Sequence, residues 1–138
     1  CYTFGKKALK DTDNPTASFT GQMYVLDASF NVADSQGEGF GFNLDGFKVY
    51  YSMKHKKLLM SSATQPEKEV ELLPENGEIS FRILVDVGSV EVFANKGEVA
   101  AAFGHWPVVK TNTVKTLVSG KKIVLNHLAI HQIESTWR

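Results

Sequence analysis

The sequence predicts an all-β fold, a two-sheet antiparallel β-sandwich of jelly-roll-like type, with a closed barrel as the second choice. Three observations predict it. Apolar residues recur at every second position through most of the chain, and the 3.6-residue period of an amphipathic helix is almost absent. Turn signals fall at short, even intervals, among them Asp45-Gly46, Asn76-Gly77 and Lys96-Gly97. The composition is that of a core-forming chain: 138 residues, 43% hydrophobic, 22% charged and 11% aromatic. One domain over 1–138 is the expectation at this length.

Each element follows from the alternation. Met23 to Val32 predicts a first strand with Tyr24, Leu26, Ala28 and Phe30 on one face. Gly37 to Gly41 predicts a break, after which Phe40, Phe42 and Leu44 alternate. Asp45-Gly46 predicts a hairpin into Phe47 to Met53, and His55-Lys56-Lys57 a polar turn before Leu58 to Ser62. Glu69 to Leu73 predicts a short strand ended by Pro74. Ile79 to Asp86 alternates cleanly, with Ile79, Phe81, Ile83 and Val85 inward and Ser80, Arg82, Leu84 and Asp86 outward. Val90, Val92 and Ala94 continue the inward set. Lys96-Gly97 turns into Glu98 to Phe103, and Thr113 to Val118 and Lys121 to Glu134 are the last two strands, with a turn at Gly120. Around Val108 to Val114 a helix is disfavoured by β-branched residues.

Several function classes are excluded. Fifteen basic residues balance fifteen acidic ones, so a sequence-independent grip on nucleic acid is not expected. No apolar run approaches the ~18 residues of a membrane-spanning helix. The lone cysteine, Cys1, excludes an internal disulfide and a thiolate zinc cluster. With no initiator Met and no signal peptide, the chain is expected to be a module of a longer protein. Asn14-Pro15-Thr16 has the spacing of a glycosylation site, but the proline blocks it. No nucleophile elbow, P-loop, zinc-protease or dinucleotide motif occurs. His127 and His131 share a strand face about 13 Å apart, too far to ligate one metal. Asp27, Asp34, Asp45 and Asp86 supply carboxylates, but no loop has calcium spacing. No metal or cofactor is expected.

The informative segment is Ile79 to Asn95. A two-residue loop at Gly88-Ser89 would set Asp86 opposite Glu91 and Leu84 opposite Phe93. Arg82, Asp86, Glu91 and Phe93 then share the outward face, and a slip of one pair keeps them there. Two opposed carboxylates repel. Arg82 relieves this in one reading, as a simple outer-face ion pair. A ligand with vicinal hydroxyls relieves it in the other, since carboxylates accept from hydroxyls and Arg donates to them. Trp106, in Phe103-Gly104-His105-Trp106-Pro107, is a candidate wall for a sugar ring or a plug at the end of the sandwich. Tyr50 and Tyr51 point to opposite faces, so at most one lines the Arg82 surface. Trp137 ends an alternating strand and is expected in the core.

Phe81 to Asn95, followed by Lys96-Gly97-Glu98, resembles the L-R-I-L-V-D-x-S-S-V-E-V-F-x-N-x-G signature of the C-terminal β-sandwich of glycoside hydrolase family 32, the invertases, levanases and inulinases. Gly39-Phe40-Gly41-Phe42, Tyr51 through Leu59, Phe103 to Pro107 and Ile133 to Trp137 resemble the family's surrounding segments. Gly88 departs from it, replacing the first of the paired serines, and the ending at Gly104-His105-Trp106-Pro107 is richer than usual. The catalytic five-bladed propeller, with its W-M-N-D-P-N-G segment, is missing. The resemblance therefore implies a non-catalytic chain. Free-standing relatives form carbohydrate-binding module family 66, which recognises terminal fructosyl units of fructans. By position, the resemblance implies that Arg82, Asp86 and Glu91 hold sugar hydroxyls, with Trp106, His105 or Tyr51 as the wall. It further implies levan or inulin as ligand, a catalytic propeller as neighbouring domain, a monomer, and an extracellular parent enzyme. A structural alternative makes the chain a stabilising partner of the propeller, with Leu84, Phe93 and Val118 starting an apolar contact. A third has it as an unrelated lectin-like sandwich for another sugar.

Overall fold

The computed structural model describes residues 2–10, 13–16, 23–44, 46–62, 65–86, 89–104 and 114–132. Ten strands run through them: β1 (Tyr2–Phe4), β2 (Lys7–Leu9), β3 (Tyr24–Leu44), β4 (Phe47–Ser52), β5 (Lys57–Ser62), β6 (Gln65–Glu71), β7 (Glu78–Asp86), β8 (Ser89–Ala94), β9 (Val99–Gly104) and β10 (Val114–Gln132). All pairings are antiparallel. There is no helix among the described residues, and of the Val108 to Val114 stretch only Val114 lies among them.

Two long strands replace four shorter expected ones. β3 continues through the glycines at 37–41, and β10 continues through Gly120. The first half of β3 pairs with β7 and with the second half of β10. Its second half pairs with β4 and with the first half of β10. The two strands therefore belong to both layers. The front layer runs β9-β8-β7-β3-β10, with β1 and β2 on the outer edge of β10; the back layer runs β6-β5-β4-β3-β10.

The bend is made where Gly37 pairs with Gly120. The ladder shifts register on both sides of Gly120 and again near Val124 and His127, and such bulges bend and twist a strand pair. Gly120 sits at φ +139, a region closed to most side chains. A Cβ on it would lie 2.3 Å from the Gly37 Cα. Two backbones thus touch where side chains would hold them apart.

The aromatic core closes the layers. Phe30 of the front layer stacks on Phe40 of the back layer, centroids 4.2 Å apart at 19°. Phe81 meets Phe40 and Phe42 edge-on at 6.2 Å. All four rings are buried, and full burial of such a ring stabilises by about 1.5–3 kcal/mol. The turns at Asn76-Gly77 and Lys96-Gly97 stand as expected, all four residues at positive φ. Gly46 also has positive φ, and its N–H donates to Asn43 Oδ1 at 2.8 Å; Asp45 lies outside the described residues. The Glu69 to Leu73 strand is displaced: β6 starts at Gln65 and ends at Glu71. Two short strands before Met23 carry no alternation that marks them in the sequence. They have three residues each and gain their place only by pairing with β10.

Candidate functional site

The outward residues of the front layer form rows across the strands. One row is Ala129, Asp27, Arg82, Phe93 and Ala100, from β10 to β9. On one side of it lies His131, Val25, Leu84, Glu91 and Ala102. On the other lie His127, Ser29 and Ser80. A groove of about 830 Å³ runs over these rows, lined among others by Arg82, Glu91, Phe93, Asp27, His127 and His131.

Arg82 occupies its centre. The side chain is 63% exposed, and its Nε lies 3.8 Å from Asp27 Oδ1. The pair is a loose surface contact, of a kind worth about 0–1 kcal/mol, so the guanidinium keeps donors to offer. The sequence offers Asp27 only as a carboxylate for calcium. Its contact with Arg82 depends on the β3–β7 pairing, which joins segments far apart in sequence. Phe93, directly opposite Arg82, is half-buried in the groove. It supplies an aromatic surface beside the guanidinium.

The hairpin register corrects the expected opposition of acids. The β7–β8 ladder closes with Asp86 opposite Ser89, and Glu91 faces Leu84. Residues 87 and 88, not Gly88-Ser89, lie between the strands and outside the described residues. The two carboxylates are thereby diagonal, about 7–8 Å apart at the backbone, which weakens their repulsion. The shift is by an even number of residues, so Arg82, Asp86, Glu91 and Phe93 all stay outward. Glu91 lines the groove beside Arg82; Asp86 is exposed at the hairpin end and does not line it.

Tyr51, expected as a possible wall, does not reach the Arg82 face. Its ring is fully buried in the core, and its hydroxyl donates to the Leu72 carbonyl at 2.8 Å. Burial raises the phenol pKa above its ordinary value. Tyr50 takes the outward position, but on the back layer, under Lys48 at 5.3 Å. Tyr51→Phe is therefore expected to lower stability by about 1–3 kcal/mol, because the Leu72 carbonyl loses its buried donor. Thermal melting checks this. His105, Trp106 and Trp137 lie outside the described residues.

Other residues of the segment are structural. Asn95 is buried; its side chain accepts from the Ser80 N–H and donates to the Leu73 carbonyl and to Glu98. It ties the β8–β9 turn to two other strands' ends. Glu78 accepts from Ser29 at 2.6 Å and from Asn126 at 2.8 Å, and these bonds hold its carboxyl below the ordinary pKa. Val118 does not join Leu84 and Phe93: it pairs with Phe40 and packs against the core. Among the described residues no three His, Cys, Asp or Glu side chains stand close enough to hold a metal ion.

The outer face of this antiparallel sandwich thus carries a groove with Arg82 at its centre and the Phe93 ring beside it. The family model "Glycosyl hydrolases family 32 C terminal" matches residues 2–132, and the chain belongs to that family. It is 27% identical over 140 residues to a levanase of Bacillus subtilis (strain 168), covering 90% of this chain and 21% of that protein. It is 29% identical over 120 residues to a levanase of Bacillus sp. (strain L7), covering 86% of this chain and 13% of that one. The chain thus spans about a fifth or less of these relatives. In structure it resembles exo-inulinase from Aspergillus awamori, with a TM-score of 0.78 at 22% identity over 98% of this chain and 29% of the other. The galectin LEC-6 of Caenorhabditis elegans shares the fold at a TM-score of 0.69 and 11% identity, over 95% of this chain and 96% of its own.

Proposed function

We propose that this domain is a non-catalytic carbohydrate-binding module that holds fructosyl units of a fructan, levan or inulin, on the outer face of its front layer. The observation that carries the reading is the placement of Arg82, Glu91 and Phe93 together in one groove. Guanidinium and carboxylate are complementary to vicinal hydroxyls, as donor and acceptor, and the ring accepts the apolar face of a sugar. The levanase relatives supply the sugar class. Asp86 borders this set from the hairpin end, and His105 and Trp106 remain candidates for a further wall. The domain serves an extracellular fructan hydrolase, attached to its catalytic propeller and itself monomeric. A polymer with many chain ends raises avidity without new contacts, so modest affinity for one unit suffices.

A second reading has the same face packed on the propeller. It draws on the half-buried Leu84 and Phe93, adjacent on that face. Calorimetric titration of the domain with levan, inulin, fructose and a glucan separates the two. Heat with fructan and fructose but not with glucan supports the module. Silence with all four, from a folded sample, overturns it in favour of the packing role. A chelator is expected to leave binding unchanged.

A further inference from the structure

A second cavity, of about 470 Å³, lies beside the bend of β3 and β10. Among the described residues it shares none with the groove around Arg82. A bulge makes it. Between the pairs Asn31–Val124 and Gln36–Lys122, β3 sets residues 32–35 against Ile123 alone. The surplus chain leaves the ladder, and the Val32 and Ala33 N–H groups donate instead to the Gly77 carbonyl, at 2.8 and 3.2 Å. Ser35 ties the bulge back to β10, its hydroxyl accepting from the Val124 N–H at 2.9 Å. On the other side of β10, β2 sets Ala8 opposite Val124. These two short side chains keep the floor low beside the bulge.

Lys6, Lys7 and Lys122 line this cavity and are exposed. Among the described residues none of the three forms an ion pair. Asp34 also lines it, its carboxylate accepting from the Asn31 side-chain amide at 2.9 Å. Three positive charges against one negative leave a surplus of two, and like charges around one hollow repel unless an anion lies between them. The spacing suits such an ion. Lys6 stands two residues before Ala8, and Lys122 two before Val124, on antiparallel strands. They flank the floor from opposite ends, about 14 Å apart at the backbone. A lysine side chain of five bonds, each about 1.5 Å, reaches about 6 Å. With a charged hydrogen bond of about 2.8 Å added, both ammonium groups meet an ion at the midpoint, about 7 Å from either backbone.

The donors select its shape. Among the described lining residues there is no arginine, whose fork grips a planar carboxylate at two points. Ammonium groups are compact point charges with three donors each. Converging from two ends, with the Gln36 amide beside Lys122, they match an ion of two charges with oxygens on all sides. We propose that this cavity is a second binding site, for a tetrahedral dianion of the phosphate class, held between Lys6 and Lys122.

The test follows the chain's amide resonances in low-salt buffer at about pH 7.5, where phosphate is mostly dianionic. The probes are inorganic phosphate, inorganic sulfate, glycerol phosphate and acetate. Saturable shifts at Ala8, Gln36 and Val124 are expected with the tetrahedral ions, with a dissociation constant on the order of 1 mM. Tighter binding of glycerol phosphate than of either inorganic ion assigns the site to a phosphate ester; equal binding assigns it to the free ion. Lys6→Ala and Lys122→Ala are each expected to weaken binding about tenfold, the loss of one charged hydrogen bond. Lys57→Ala, on the back layer beside Glu69, is expected to change nothing. Shifts that fail to saturate, that spread over lysines elsewhere, or that survive both cavity variants overturn the site, and so does acetate binding as tightly as phosphate. Fructan affinity is expected to be the same in both cavity variants as in the wild-type chain, so this site and the Arg82 groove stand or fall separately.

Discussion

On the proposed site, Arg82→Ala is expected to weaken fructan binding about 100-fold while leaving the fold's stability nearly unchanged. The two halves of that expectation have separate grounds. Each hydrogen bond from a charged donor contributes about 1.5–3 kcal/mol, and two lost from one guanidinium amount to about 3 kcal/mol or more, roughly two decades in affinity. The stability side rests on exposure. The Arg82 side chain is 63% exposed, and its one ion pair, to Asp27 at 3.8 Å, is a solvent-screened contact. Pairs of that kind contribute about 0–1 kcal/mol. Arg82→Lys is the companion variant. It keeps the charge but replaces the planar fork by a point donor, so it is expected to recover only a small part of the affinity. Titration calorimetry with levan, alongside a melting curve for each variant, reads both quantities. Retained affinity in Arg82→Ala would sink the assignment of the groove's centre. Lost affinity with a collapsed melting curve would assign Arg82 to the scaffold.

The parts of this molecule that were legible in the sequence are those set by local chemistry. Alternation is a property of each strand by itself, so the inward set of β7 and β8, from Ile79 through Ala94, emerged residue for residue. The turns at Asn76-Gly77 and Lys96-Gly97 also depend only on the residues within them. Quantities fixed by distant partners were not legible. A glycine that bends a strand and a glycine that ends one leave the same mark. Gly37 and Gly120 bend theirs because the two meet across the molecule. Period two likewise assigns Tyr50 and Tyr51 to opposite faces without saying which is inside. The choice falls to Tyr51, whose hydroxyl finds the Leu72 carbonyl beyond two intervening strands. The candidate site shows the same division. Alternation alone places Arg82, Asp86, Glu91 and Phe93 on one face, because a register error by an even number of residues preserves faces. The opposition of Asp86 and Glu91 was not preserved, because register fixes opposition. Asp27, His127 and the small Ala129 enter the groove only through the pairing of β3 with β7 and β10.

The crossing of the two long strands yields the largest expected effect on stability. Gly120→Ala adds one methyl group at φ +139, where it would lie 2.3 Å from the Gly37 Cα and 2.8 Å from the Gln36 carbonyl oxygen. Both obstacles are backbone, so no rotamer change relieves them. Two costs combine: about 1–3 kcal/mol for a side chain in a disfavoured region and about 1–3 kcal/mol for overpacking. A loss of about 3 kcal/mol or more is expected, a large share of the roughly 5–15 kcal/mol that holds a domain together. At this size each kcal/mol moves the melting temperature by about 2–4 °C, so Gly120→Ala should melt about 10 °C lower. Gly97→Ala separates the two costs. Gly97 also has positive φ, at +95, but an added Cβ meets nothing within 4 Å, so this variant carries the dihedral cost alone. Gly37→Ala is its complement: the residue is not at positive φ, yet its Cβ would lie 2.5 Å from the Ser119 carbonyl oxygen and 2.8 Å from the Gly120 Cα. Denaturant unfolding of the three variants should therefore rank Gly120→Ala as the most damaging. Equal losses for Gly120→Ala and Gly97→Ala would mean that the backbones do not touch, and that β3 and β10 pass between the layers by some other bend.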